Sequence, residues 1–165
     1  MTNKLSIALL IAALCASGCT RPASPMGSGP KELASQASQA ILAKDHAKAR
    51  SLLEQAVRAE PDFAEGWVGL GNACALLMDT PAARKSYERA VRLHAERYRM
   101  TPRDAGQLQQ QAYVLLLLGR ETEARDLLAQ GMKSHPGDQQ LDAFSKVVDG
   151  LLSDKEFQRL RVPQR

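Results

Sequence analysis

The sequence predicts an all-α fold, three helical hairpins stacked into a short superhelix and closed by a C-terminal capping helix. Three observations predict it. Alanine, leucine and glutamine dominate the middle of the chain, and no run of β-branched residues alternates with period two, so helices are favoured over strands. Between residues 67 and 90, Trp67, Leu70 and Cys74 fall at i, i+3 and i+7 and share one helical face, while Gly71 removes a side chain where a second helix must come close. Ala83 and Ala90 stand two turns apart on that second helix, with Tyr87 to fill the gap between them. A hairpin patterned this way leaves apolar surface that only a neighbouring copy covers, and similar patterns flank it on both sides.

Residues 1–18 read as a secretory leader: Lys4 gives the positive start, and the apolar run from Leu5 to Ala16 is too short to span a bilayer. The sequence Ala16-Ser17-Gly18-Cys19 resembles a bacterial lipobox, Leu-[Ala/Ser]-[Gly/Ala]-Cys. Ser17, Gly18 and Cys19 match it, and Ala16 departs from leucine. The resemblance implies that Cys19 becomes the diacylglyceryl-modified first residue and, because Thr20 is not aspartate, that the protein sorts to the outer membrane and faces the periplasm. The other reading is a plain secretory signal with an incidental cysteine. Residues 19–30 form a flexible tether with a span of roughly 18 Å, which keeps the hairpins near the membrane face.

Residues 30–136 hold the hairpins. In the first, Ala37, Ala40, Ala49, Leu53 and Ala56 take the packing positions, Asp45 caps the second helix and Pro61 closes the unit. The second opens on Asp62-x-x-Glu65, a capping box, and its second helix opens on Thr80-Pro81, cap then N1. That helix lacks a closing proline and is expected to run about two turns further, to Met100. Thr101-Pro102-x-Asp104 supplies cap, N1 and N3 of the third hairpin, where Ala112, Leu115, Gly119, Ala124, Leu128, Gly131 and Pro136 hold the register. Residues 137–165 carry a capping helix that starts at Asp138, and Ser153-x-x-Glu156 starts a last short helix with Phe157 and Leu160.

The spacing W-x2-L-G, then A-x3-Y-x2-A, resembles the tetratricopeptide repeat, and the resemblance covers about 30–136 in three copies. It implies a binding groove lined by the first helix of each copy. Carried over residue by residue, the groove positions are Lys31, Ser35, Ser38 and Leu42, then Glu65, Val68, Asn72 and Leu76, then Gln109, Gln110, Tyr113 and Leu117. This mixed polar and apolar set suits an extended or helical peptide of a partner protein, and its bland alternative is a solvated groove with no ligand. The family's carboxylate clamp is not implied, because only Asn72 fits it and Ala34, Ser38, Gly106 and Gln110 hold the other positions.

The formal charge is +4, and loss of Lys4 with the leader lowers it by one, which is too mild to imply nucleic acid. Aromatic content of 4% argues against stacking platforms. Within 84–103 seven basic residues face two glutamates, and Lys85, Arg89, Arg92 and Arg99 recur at helical spacing. That stripe reads either as a solvated face eased by the pairs Arg84–Glu88 and Arg92–Glu96, or as a docking face for an acidic partner or anionic lipid head groups. No nucleophile motif, phosphate loop or metal-ligand spacing occurs, and His46, His94 and His135 stand far apart, so neither an enzyme, a small-molecule substrate nor a cofactor is implied. Tetratricopeptide-repeat lipoproteins similar to this chain include pilotins and assembly factors of type IV and tight-adherence (Flp) pili and of secretion channels. The resemblance thus implies a lipid-anchored adaptor for another envelope protein. A regulator of peptidoglycan-processing enzymes is the alternative.

Overall fold

The computed structural model describes residues 29–162, so the leader, Cys19 and most of the tether lie outside the described residues. Among the described residues eight helices follow one another: α1 Pro30–Leu42, α2 His46–Ala59, α3 Ala64–Leu76, α4 Thr80–Met100, α5 Ala105–Leu117, α6 Glu121–Ser134, α7 Gln139–Ser153 and α8 Lys155–Leu160. Among the described residues there is no strand, and no helix is long and apolar enough to cross a membrane. The architecture is the all-helical hairpin stack expected. α1 packs on α2, α3 on α4 and α5 on α6, and the pairs join through α2 against α3 and α4 against α5.

Aspartate sets most helix starts. Asp45, Asp79, Asp104, Asp138 and Asp154 each accept a backbone N–H of the following turn, at distances from 2.8 to 3.2 Å. A carboxylate both accepts strongly and complements the positive end of the helix dipole, so it takes the cap where a hydroxyl stands nearby. Three expected starts move for this reason. Thr80 is the first residue inside α4 rather than its cap, Thr101 closes α4 by donating to the Arg97 carbonyl at 2.8 Å, and Ser153 ends α7. The capping box at Asp62 also fails: Phe63 precedes α3 with no side-chain cap. Glu65 instead pairs with Arg97 at 2.9 Å, and the same guanidinium donates to the Asp62 carbonyl.

Tyr87 is the centre of the middle hairpin, with 0% of its surface exposed. A Cβ added at Gly71 would lie 2.3 Å from its ring, so only glycine lets α3 approach α4 this closely. Trp67 is half-buried against the core and donates its indole N–H to the Pro61 carbonyl at 3.0 Å, tying α3 to the preceding turn.

Two departures from a regular stack matter for the site. α4 runs 21 residues against 14 in α2 and α6, as its missing proline foretold. On the face of the first helices, α1 packs beside α3, but the next neighbour of α3 there is α8 rather than α5. α7 caps the last hairpin against α5 and α6, and the chain then turns at Asp154 and folds back over the stack.

Candidate functional site

The residues expected to form one groove divide into two groups. At the α1 end the surface is open: Lys31, Ser35 and Ser38 are at least partly exposed, and Leu42 is 85% exposed. The Ser38 hydroxyl donates to its own helix at Ala34. Glu65 is exposed and paired with Arg97, Val68 and Leu76 are half-buried, Gln109 is half-buried and Gln110 is exposed.

At Asn72, Tyr113 and Leu117 the face is covered by the chain's own C-terminal segment. The Phe157 ring lies 5.8 Å from that of Tyr113, centroid to centroid. The Tyr87 hydroxyl faces two acceptors, Asn72 Oδ1 at 2.8 Å and the Leu160 carbonyl at 3.0 Å. The Val162 N–H donates to the Leu117 carbonyl at 2.7 Å. Arg161 donates to the Leu116 carbonyl and pairs with Glu121 at the start of α6. Phe157 and Val162 are both buried. Leu117, expected to line an open groove, is therefore a core position with 0% exposure. The physical reason is legible in α5: the five residues from Val114 to Leu118 are all buried, and a helix that is apolar on every side must be covered on every side.

This C-terminal occupant is what the sequence pattern did not reveal. Its signal was Phe157, Leu160 and Val162 spaced among the polar residues of the tail, together with that unbroken apolar run in α5. Local pattern says such residues want cover; it does not say which face supplies it.

Of the basic stripe, Lys85, Arg92 and Arg99 are exposed, while Arg89 donates to the Pro61 carbonyl. The expected Arg92–Glu96 ion pair does not form. Arg97, outside the stripe, is the cation of this helix that ties α4 to Glu65 and the Asp62 carbonyl. Among the described residues no group of three or more His, Cys, Asp or Glu side chains could hold a metal ion.

The buried titratable groups are shifted by burial first. Desolvation pushes the Tyr87 and Tyr113 hydroxyls and the Cys74 thiol up, so all three stay protonated at neutral pH and Cys74 behaves as a small apolar residue. Burial lowers His94 below its ordinary value of 6.5, opposed by its bond to Gln107 and by Glu65 and aided by Arg97. With Nδ1–H donating to Gln107 Oε1 at 3.0 Å, Nε2 is left as a buried acceptor without a partner. His135, by contrast, closes α6 and meets the Tyr98 hydroxyl at 3.0 Å.

A lowered histidine makes stability fall in acid. Below pH 6.5 the unfolded chain takes up a proton at His94 that the fold resists, so this contribution is complete above 6.5 and shrinks as pH drops towards the lowered folded value. The loss is at most about 1.4 kcal/mol per pH unit in that window. We expect the urea midpoint to fall between pH 7.5 and 5.5, and to fall less in His94→Gln; equal falls in both proteins would remove His94 as the cause.

No curated protein matches the chain. Residues 43–98, which span α2, α3 and most of α4, match the tetratricopeptide repeat family, so the central hairpin and the helix before it are similar to that family in sequence.

Proposed function

We propose that this protein is a scaffold that holds a segment of another cell-envelope protein on the face formed by α1, α3 and α5, anchored through a lipid on Cys19 in the outer membrane and facing the periplasm. The observation that supports the reading is that residues 155–162 of this chain pack against that face through one backbone bond to Leu117, a buried aromatic against Tyr113 and a paired arginine. Those are the means by which helical-repeat grooves take short segments. The match to the tetratricopeptide repeat family over 43–98 supports an interaction role. The partner we propose is a component of a pilus or secretion apparatus.

Two measurements test it. A photo-cross-linking residue placed at Ser35 or Ser38, on the open α1 end, should capture one predominant envelope protein in cells, and the same probe at exposed Ala129 on α6 should not. Equal yields from both faces would overturn the groove reading. Capture of a peptidoglycan synthase or hydrolase would move the role to the cell wall. Separately, Cys19→Ala should shift the protein from the membrane fraction to the soluble periplasmic fraction, and unchanged fractionation would remove the anchor.

A further inference from the structure

We propose that residues 155–162 are a removable plug, and that the site they fill binds an external segment of the same chemistry: a short helix with an inward aromatic that runs into an extended Arg-Val pair. This rests on the reading of the first-helix face as a peptide groove and adds which peptide it takes and what must move first.

The site has three parts, each with its own chemistry. Tyr113 of α5 and the neighbouring apolar side chains receive the Phe157 ring. Tyr87 presents its hydroxyl to the carbonyl that ends α8 and to Asn72 Oδ1 of α3. The C-terminal end of α5 forms the third part. The last carbonyls of a helix have no partner within it and carry its negative end. Here the Leu117 carbonyl accepts the Val162 N–H, the Leu116 carbonyl accepts from the Arg161 guanidinium, and the Glu121 carboxylate adds a full negative charge beside it. A site built this way selects a cation followed by a backbone N–H and an apolar side chain, and it disfavours an acidic residue at the arginine position.

The grip on the tail is local. α8 has six residues, too few to hold together by itself, and Lys155, Glu156, Gln158 and Arg159 face solvent. One residue, Asp154, joins it to α7, which packs on α5 and α6 independently. The packing of α1 on α2, α3 on α4, α5 on α6 and α7 on α5 and α6 is made without residues 155–162, whose own contacts are with α3, α7 and the end of α5. A tethered segment acts at an effective concentration on the order of 1 mM, so a free segment of equal intrinsic strength with a Kd near 10 μM meets competition of about 100-fold.

The test uses the full chain and, as probe, a labelled synthetic peptide of residues 151–165. By fluorescence anisotropy, the double variant Phe157→Asp, Val162→Asp should bind the probe at least ~10-fold more tightly than the unaltered chain. A probe carrying Arg161→Glu should bind that variant ~10-fold more weakly, and Glu121→Lys added to the variant should restore its binding. No binding up to 1 mM by a variant that still melts cooperatively would overturn the plug, as would equal binding to both proteins. A dimer of the unaltered chain with exchanged tails would assign the site to a second copy and overturn an external ligand. Should the double variant fail to fold, hydrogen exchange on the unaltered chain decides. The Val162 amide should exchange at least ~10-fold faster than that of Leu115, through opening of the tail alone; exchange of both at one rate would mark the tail as permanent core. Probe binding without cross-linked partners at α1 would leave this inference standing and fell the proposed function, and the converse pattern would do the reverse.

Discussion

Tyr87→Ala should cost about 3–5 kcal/mol of stability, the range for removing a fully buried aromatic. Three features put it at the upper end. The ring is 0% exposed, and it fills the space that Gly71 vacates on α3, so no neighbouring side chain can collapse into the cavity. Its hydroxyl, kept protonated by burial, faces Asn72 Oδ1 and the Leu160 carbonyl, so the deletion also leaves two part-buried acceptors without their donor. The substitution therefore cuts the middle hairpin and the tail together. Tyr87→Phe separates the two effects: it keeps the ring and should cost only about 1–2 kcal/mol, while loosening the tail. Urea unfolding of both variants measures this, and a loss below about 1 kcal/mol for Tyr87→Ala would show that the hairpin closes without it.

Leu117→Ala should cost about 2–5 kcal/mol. At an exposed position of an open groove the same change would fall within about 0.5 kcal/mol of neutral, so the experiment reads directly whether this face is covered. The structure gives the larger value because Leu117 is completely buried at the end of α5, where its carbonyl accepts the Val162 N–H. Removing the side chain leaves a void that the rigid C-terminal end of α5, held by the bonds of Gly119 and Arg120 to Leu116 and Leu115, cannot close. If the variant unfolds at the urea midpoint of the unaltered chain, the tail does not cover that face in solution.

The helical plan was legible because its signals are local. Small residues at Ala83 and Ala90, glycine at 71 and a large Tyr87 between them have one compact solution, and it is the one found. The missing proline after the second hairpin foretold the long α4, and Asp45 and Asp138 cap where expected. The other starts moved by one to three residues. Thr80, Thr101 and Ser153 each compete with an aspartate close by, and the choice depends on where the turn places each side chain.

The groove was only half legible. A positional rule put Leu42, Asn72, Tyr113 and Leu117 on one face, and could not tell that its α5 end is filled while its α1 end is open. The sequence by itself determined the number of helices, their pairing into hairpins and the glycine-tyrosine contact that seats the middle one. Each of these follows from residue spacings within a few turns. Only the tertiary structure decided that residues 155–162 return to the first-helix face, because that contact joins residues 45 and 73 positions apart, as Arg161 to Leu116 and Leu160 to Tyr87. No periodicity spans such distances. The burial of Phe157 and Val162 is settled between surfaces, at the apolar end of α5, and not within local sequence.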